Sequence, residues 1–347
     1  MLRHLIRFSS TCFPQKPGDS VIRKLALIPG DGIGPEICSA ATDVLSAIHA
    51  PVVFDTISNL NVNDDEVIKK IKSYPAALKG TIGHLIGEGA GSPNVLLRKK
   101  LDVYAHVCHA FSLKGIKTRH DNINVIVIRE NLEGEYSGLE HEVYPGVVES
   151  IKVITYAGSL KIAKYAFELA YLNNRKKVTA IHKANIMKKA DGEFLKAVRQ
   201  VAKEYPTIQY QEMIIDNASM QMTSNPWQFD VVVLPNLYGS IIGNIVSFLV
   251  GGPGITPGVN IGNDFALFEP GTRHIAKDIA GKGLANPTGI LLSSAMMLRH
   301  LNLPHFAERL QDGLFQTISE GKVLTQDIGG SATTYEFTRE IIKNIQK

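Results

Sequence analysis

Short apolar runs alternate with helical patterns along this chain. Residues 229–234, Phe-Asp-Val-Val-Val-Leu, are rich in β-branched side chains and end at Pro235. A short apolar run that closes at a turn residue predicts a strand buried inside a sheet. The residues that follow predict a turn and then a helix that opens near Ser240. On that helix Ser240 and Asn244 are four residues apart, so their side chains point from the same face.

The same order of strand and helix recurs elsewhere in the chain. A strand is predicted at 23–28, and a Gly-rich turn leads from it into a helix that ends near Ile48. Further strands are predicted at 124–128, 146–155 and 208–215, with a strand followed by a helix start within 177–187. Helices are predicted at 92–99, 160–172 and 288–301, and a last helix follows Thr334. Strands that alternate with helices indicate an α/β fold.

Composition narrows the class of protein. The chain has 347 residues, of which 44% are hydrophobic and 20% are charged, so it can bury sizeable cores and form two domains. No uninterrupted apolar stretch approaches the roughly 20 residues of a membrane span. The three cysteines, Cys12, Cys38 and Cys108, are few and scattered. They predict no disulfide framework and are typical of a reducing compartment.

The N-terminus differs from the rest of the chain. Residues 1–11 mix Arg, Ser and apolar side chains, and the first acidic residue is Asp19. This pattern predicts a mitochondrial transit peptide over residues 1–17; a frayed basic terminus is the alternative. Arg3, Arg7 and Lys16 carry +3 of the formal net charge of +4, which leaves about +1 for the remainder. The basic balance therefore does not indicate a nucleic-acid partner.

The Gly-rich turn at 29–36, Pro-Gly-Asp-Gly-Ile-Gly-Pro-Glu, carries a family resemblance. A turn of this kind before a helix can cradle a phosphate, or it can be only a tight connection. Its sequence resembles the N-terminal segment of the β-decarboxylating dehydrogenases, the isocitrate and isopropylmalate dehydrogenase family. The segments at 92–105, 129–138 and 177–187 strengthen this resemblance, which extends from about residue 23 to the end.

The resemblance implies a fold and a reaction. The fold is α/β and isopropylmalate dehydrogenase-like, with a large discontinuous domain at 20–106 and 254–347. A small central domain at 107–253 carries a clasp that joins two subunits. The reaction oxidises isocitrate with NAD and then releases carbon dioxide to give 2-oxoglutarate. A divalent metal, Mg²⁺ or Mn²⁺, polarises the developing carbonyl, while arginines hold the carboxylates and a Lys and a Tyr move protons.

The segments that resemble the family's substrate site are largely complete. Ser92, Asn94, Arg98 and Arg129 match positions that bind the tricarboxylic acid. Cys108 stands where the resemblance implies a further arginine, so the chain lacks one fork of donors for a carboxylate.

The positions that correspond to metal binding and proton transfer divide into two groups. Asp216 and Lys183 match the family residues that reach across the interface into the partner's site. Tyr136 matches the tyrosine of the subunit's own site, and its role here stays open. Ser240 and Asn244 match the two aspartates that hold the metal in the subunit's own site, and both are neutral.

This asymmetry resembles regulatory, non-catalytic subunits of the family's mitochondrial NAD-dependent hetero-oligomers, and is closest to the fungal type. It implies a mitochondrial-matrix subunit that pairs with a homologous catalytic subunit, in a heterodimer that assembles further. NAD and the metal occupy the partner's site, and citrate or isocitrate binds here. Two alternatives stay open: a catalytically competent isocitrate or isopropylmalate-type dehydrogenase subunit, and a purely structural scaffold for the catalytic subunit.

The loop at 268–282 replaces the family's NAD-binding loop and carries Arg273, His274 and Ile275. Asn286 matches the residue that the family uses at adenine. Arg273 and His274 can meet a single phosphate by charge and hydrogen bonds, so we expect a mononucleotide effector, AMP or ADP. A solvated basic loop without a ligand is the alternative.

Overall fold

The computed structural model describes residues 21–58, 60–83, 92–272 and 274–346. The transit peptide predicted at 1–17 and the candidate effector residue Arg273 lie outside these residues. In the described part of the chain, no helix is both long and apolar enough to span a membrane.

Strands and helices alternate through most of this part of the chain. The strands are β1 (Arg23–Ile28), β2 (Val52–Thr56), β3 (Ala76–Lys79), β4 (Ala105–Phe111), β5 (Asn124–Glu130), β6 (Gly134–Tyr144), β7 (Val147–Val153), β8 (Lys177–His182), β9 (Gln209–Ile214), β10 (Val231–Leu234), β11 (Pro257–Ile261) and β12 (Ala266–Pro270). The helices are α1 (Gly34–Ala47), α2 (Asp65–Lys72), α3 (Pro93–Leu101), α4 (Tyr156–Leu172), α5 (Ala190–Ala202), α6 (Ile215–Ser224), α7 (Asn236–Leu249), α8 (Thr288–His300), α9 (Pro304–Glu320) and α10 (Thr334–Ile345).

Ten of these strands form one sheet, in the order β2-β1-β3-β12-β11-β4-β5-β10-β8-β9. β1, β2, β3 and β12 pair in parallel, as do β5, β10, β8 and β9. Antiparallel pairing of β11 and β4 joins the two groups. The two groups correspond to the predicted large and small domains, whose boundaries stay a prediction.

The central strand β10 shows why an unbroken apolar run forms here. Val231 and Val233 pack into the core beneath α4 and α5, while Val232 and Leu234 pack into the core beneath α6 and α7. Successive side chains of a strand point to opposite faces, so a strand covered by helices on both faces must be apolar throughout. The predicted α/β class is confirmed.

Two element boundaries differ from the predictions. The helix after β10 begins at Asn236, not near Ser240, so Gly239 lies inside α7 and not in a turn. The helix predicted to follow β8 directly begins only at Ala190. The side chains of His182 and Asp191 accept hydrogen bonds from the backbone N–H groups of Ala184 and Lys183, and these bonds hold the intervening turn.

A two-stranded sheet, formed by β6 and β7, stands apart from the ten-stranded sheet. Its outer part exposes large apolar side chains, including Tyr144 at 71% and Val148 at 65%. Several exposed apolar side chains on one element are typical of an interaction surface. The hairpin is therefore the element that fits the predicted clasp.

Candidate functional site

A cavity of about 240 Å³ lies between α7 and the adjacent strands β4 and β5. The positions at which the sequence analysis noted lost charge, Cys108, Ser240 and Asn244, all line it, together with Arg129. The structure therefore brings these four residues together. The other described residues in the lining are His106, Val127, Gly239, Gly243, Ser247, Phe248, Pro253, Gly271, Thr272 and His274.

The charge of this cavity does not fit a divalent cation. Mg²⁺ and Mn²⁺ prefer carboxylate oxygens, but no aspartate or glutamate is among the described residues that line the cavity. Over residues 21–58, 60–83, 92–272 and 274–346, no group of three or more His, Cys, Asp or Glu could hold a metal ion. Burial raises the pKa of the Cys108 thiol to about 12, so this group is neutral as well. The guanidinium of Arg129 leaves the cavity suited to an anion.

Arg129 is buried at the end of β5 and is held by α7. Its Nε and Nη2 donate to Oδ1 of Asn236, at 3.0 and 2.8 Å. Asn236 in turn donates to the carbonyl of Glu133 at 2.8 Å. The Arg129 side chain passes directly over Gly239, where a Cβ would lie 2.3 Å from its Cγ. A glycine at this position of α7 therefore makes room for the arginine.

Tyr136 lies against the two candidate clamp arginines. Its ring centroid is 4.9 Å from the guanidinium carbon of Arg129 and 5.9 Å from that of Arg98. Burial acts to raise the pKa of the Tyr136 phenol. The positive charge of Arg129, hydrogen bonds with Ser240 and Arg129, and the charge of Arg98 outweigh burial and lower this pKa. Tyr136 therefore faces the same anion-attracting region as Arg129.

The remaining clamp candidates lie on α3. Ser92 precedes its first residue, and Asn94 and Arg98, one turn apart, are buried on one face. Asn94 donates to the carbonyl of Ile82 at 3.0 Å, and Arg98 hydrogen-bonds the side chain of Asn131. The structure thus brings Arg98 and Arg129 together at Tyr136, while Asn94 supports the helix that carries Arg98.

Sequence reasoning missed the asparagines that hold these arginines. Asn131 donates to Asn260 at 2.9 Å, and Asn260 donates to Glu269 at 2.7 Å. Glu269 pairs with Lys79 at 2.5 Å, deep in the sheet. A polar residue that directly follows a buried strand, as Asn131 follows β5, is the signal that could have found this row.

Lys183 and Asp216 form a separate site. Lys183 Nζ lies 2.6 Å from Asp216 Oδ1, and neither residue is among those described as lining the cavity next to α7. The two side chains are 25% and 60% exposed. Asp216 lies in the first turn of α6, and its hydrogen bond with Lys183 lowers the pKa of its carboxyl. The ion pair is therefore formed within this chain and is partly exposed.

A second cavity, of about 310 Å³, adjoins the first. The candidate effector residues His274 and Asn286 line it, and so does Asp327, which sequence reasoning missed. Asn286 donates to Asp327 Oδ2 at 3.0 Å and accepts from the backbone N–H of Thr288 at 2.9 Å. The rest of the lining is mostly apolar, from Ile33, Ile37, Ile279, Leu284 and Ile290 among others. An apolar slot with a few convergent polar groups is the usual form of a small-molecule site.

Ile275, the fourth candidate effector residue, contacts the Gly-rich turn through its backbone. Its carbonyl accepts from the N–H of Ile33 at 3.1 Å, and a Cβ on Gly32 would lie 2.1 Å from the same oxygen. Asp31 N–H donates to the carbonyl of Thr81 at 2.6 Å. These donors of the turn bind the protein itself, which favours the tight connection over the phosphate cradle.

The two cavities share part of their walls. Pro253, Thr272 and His274 line both. Thr272 and His274 follow β12, so one loop borders the candidate acid site and the candidate nucleotide site. The shape of each cavity therefore depends in part on residues that also line the other.

Comparison with known proteins gives the family. The family model described as isocitrate/isopropylmalate dehydrogenase matches residues 24–345. The chain is 51% identical to the Arabidopsis thaliana mitochondrial isocitrate dehydrogenase [NAD] regulatory subunit 1, over 98% of this chain and 94% of that relative. It is 49% identical to the Saccharomyces cerevisiae mitochondrial isocitrate dehydrogenase [NAD] subunit 1, over 92% of this chain and 91% of that relative.

A solved structure agrees with these relatives and confirms the predicted isopropylmalate dehydrogenase-like fold. An isocitrate dehydrogenase from Methylococcus capsulatus superposes with a TM-score of 0.90 at 40% identity, covering 94% of this chain and all of that chain. The curated relatives are named mitochondrial, which confirms the predicted mitochondrial localisation. By the family model and by these relatives, the chain belongs to the isocitrate/isopropylmalate dehydrogenase family.

Proposed function

We propose that this chain is the regulatory subunit of a mitochondrial NAD-dependent isocitrate dehydrogenase, a hetero-oligomer in which a homologous subunit carries the catalytic site. The names of the relatives, regulatory subunits in Arabidopsis thaliana and numbered subunits in fungi, support this role. The exposed hairpin of β6 and β7 offers the apolar surface for assembly. NAD and Mg²⁺ or Mn²⁺ act in the partner's catalytic site.

The observation that carries the proposal is the contrast between two groups of residues. The cavity beside α7 presents Ser240, Asn244 and Cys108, none of them charged, around Arg129. A hard dication needs negative oxygen ligands to compete with water, and here it would also meet a guanidinium. The Lys183–Asp216 pair, by contrast, retains a basic and an acidic side chain and is partly exposed.

The two groups serve two sites. Lys183 and Asp216 complete the catalytic site of the partner, where Lys183 transfers a proton and Asp216 is one of the metal's carboxylate ligands. The chain's own cavity binds citrate, or isocitrate without turnover, through Arg129, Arg98 and the residues of α3. Tyr136 donates its phenolic hydrogen to the bound acid.

The adjoining cavity binds a mononucleotide, AMP or ADP. The apolar walls accept the base, Asn286 and Asp327 lie at its polar edge, and His274 with Arg273 meets the phosphate. The loop that borders both cavities couples the two ligands, so that the bound acid changes the affinity for the nucleotide. By linkage, the bound nucleotide changes the affinity for the acid by the same factor. Binding here then alters the affinity of the partner's site for isocitrate.

Turnover of a complex in which Lys183 is replaced tests whether Lys183 of this chain acts in the partner's catalytic site. Lys183→Ala in this chain, assembled with the native catalytic subunit, is expected to lower kcat at least 100-fold, since a positioned acid or base contributes about 10²–10⁴ in rate. Lys188→Ala, which removes an exposed lysine from the same turn, is the matched control and should leave kcat within twofold. Unchanged turnover with Lys183→Ala contradicts the proposal.

Restoring the missing charges distinguishes the proposed regulatory subunit from a catalytically competent dehydrogenase subunit. Isolated native chain should not oxidise isocitrate with NAD and Mg²⁺, whereas Cys108→Arg with Ser240→Asp and Asn244→Asp should create tight Mn²⁺ binding. Turnover by the native chain at a rate near that of the complete enzyme favours a competent dehydrogenase. Calorimetric titration of the complex with citrate and AMP separates the scaffold alternative, for which neither ligand gives heat.

A further inference from the structure

A buried ion pair lies behind the lysine that this chain is proposed to lend. Asp191, in the first turn of α5, is fully buried, and its Oδ1 lies 2.6 Å from Lys152 Nζ. Its other oxygen, Oδ2, accepts the backbone N–H of Lys183 at 2.6 Å. One carboxylate therefore joins a residue of the hairpin to the residue that carries the candidate proton-transfer group.

Lys152 also contacts α7 and the other strand of the hairpin. Its Nζ donates to the hydroxyl of Tyr238 at 3.1 Å and lies 3.4 Å from Oε1 of Glu135. Tyr238 is two residues from Ser240 on α7, and Glu135 is on β6. Lys152 thus contacts the hairpin, α5 and α7 at one point.

We infer that Asp191 and Lys152 are positioning residues, which set the backbone of Lys183 so that its side chain enters the partner's site, and which tie that placement to the seating of the β6–β7 hairpin. The inference rests on the proposed lending of Lys183. Neither residue touches substrate. They act through the turn after β8, whose conformation depends on the backbone hydrogen bonds that the side chains of Asp191 and His182 accept.

The geometry explains why this turn needs an anchor. Lys183 Nζ must keep a position on a surface that is partly exposed, and displacement of a catalytic group by about 1 Å can cost about 100-fold in rate. A buried carboxylate with two charge-assisted or backbone bonds resists such displacement. Because Lys152 lies on β7, a hairpin packed against a partner holds Lys152, and Lys152 holds Asp191.

The test uses the assembled complex with the native catalytic subunit. Asp191→Asn keeps the shape of the side chain but removes the charge that binds Lys152. It is expected to lower kcat at least tenfold with the KM for isocitrate unchanged within twofold. Lys152→Met should lower kcat in the same direction, and Lys152→Arg, which keeps the cation, should recover at least half of the lost turnover.

A second carboxylate of the same kind provides the control. Asp230 pairs with Arg175 at 2.8 Å and accepts the backbone N–H of Lys176 at 2.7 Å, but it precedes β10 at the far end of that strand. Asp230→Asn should lower the melting temperature to a similar degree as Asp191→Asn and leave kcat within twofold. Equal loss of kcat in both variants would show a general structural effect and overturn the inference.

A double-variant cycle separates this inference from the proposed function. If Asp191 acts through Lys183, the complex with Asp191→Asn and Lys183→Ala together should turn over as fast as that with Lys183→Ala alone. The positioning role is wrong if Asp191→Asn lowers kcat by the same factor in the native complex and in the Lys183→Ala complex. It is also wrong if Lys183→Ala abolishes turnover but Asp191→Asn leaves kcat unchanged. If the Lys183→Ala complex keeps its turnover, the proposed role of Lys183 in the partner's site is wrong instead. Should Asp191→Asn not assemble, the Lys152 variants decide the outcome by the same criteria.

Discussion

The contact between Gly239 and Arg129 gives a prediction whose size follows from the structure. In Gly239→Ala, the new Cβ would lie 2.3, 2.5 and 2.8 Å from Cγ, Cβ and Cδ of Arg129. These are the inner atoms of a buried side chain, so the arginine cannot avoid the methyl by moving its tip alone. Either α7 shifts from β5, or Arg129 leaves its place against Asn236.

Gly243→Ala is the matched control, because Gly243 lies one turn later on the same helix and a Cβ there meets nothing within 4 Å. In a helix interior, Ala is more favourable than Gly by about 1 kcal/mol, and this gain is common to both variants. An extra methyl forced into a packed site costs about 1–3 kcal/mol. Gly243→Ala should therefore raise the free energy of unfolding, and Gly239→Ala should fall about 1–3 kcal/mol below it.

Urea denaturation of the two purified variants measures this difference. Loss of the bonds from Arg129 to Asn236 should also weaken citrate binding by about tenfold or more, since a hydrogen bond to a charged group contributes about 1.5–3 kcal/mol. Calorimetric titration of the complex with citrate measures that loss. Equal stability of the two variants, with unchanged citrate affinity, would refute the view that Gly239 makes room for the arginine.

Three further predictions concern stability and assembly. Burial and the charge of Arg175 lower the pKa of His109 to about 3, so between pH 6.5 and 3 the imidazole is protonated in the unfolded state but not in the folded state. The free energy of unfolding should therefore fall by up to about 1.4 kcal/mol per pH unit as the pH decreases from 6.5 toward 3. In urea titrations at several pH values, His109→Gln should lose this dependence. Thr333 caps α10 in a capping box with Glu336, so Thr333→Ala should cost about 1 kcal/mol in the same assay, and no loss would contradict the cap. Val148→Asp, on the exposed hairpin, should weaken hetero-oligomer formation in analytical ultracentrifugation, with unchanged assembly counting against the clasp.

Apolar patterning predicted five of the ten strands of the large sheet, namely β1, β5, β8, β9 and β10. The central strand β10 was the clearest of these, because a strand that is covered on both faces is an unbroken apolar run. The strand at 23–28 and the helix that closes the chain appear where they were predicted. The strands β2, β3, β4, β11 and β12 were not predicted, and neither was β6. Its outer residues alternate poorly, because in this chain they are exposed on both faces and their apolar side chains suit a partner.

The charged and neutral residues of the candidate site could be predicted from the sequence. The residues that hold them in place could not. The resemblance indicated Arg129 and Lys183. It also indicated the neutral residues Ser240 and Asn244, and their spacing of four residues predicted that they share one helix face. Asp191 was not found, because its role depends on which strand and turn approach it in space. Gly239 looked like a turn residue, since a sequence does not show that an arginine from another strand occupies the space beside it.

The number of Mn²⁺ ions bound per pair of chains tests the central claim most directly. The native complex, titrated with Mn²⁺ in the presence of isocitrate, should bind one ion for each pair of one regulatory and one catalytic chain. Asp216→Asn in this chain should weaken that single site, because it removes one of the carboxylates that the ion needs. Two ions per pair, with the second lost on substitution of Ser240 or Asn244, would contradict the account.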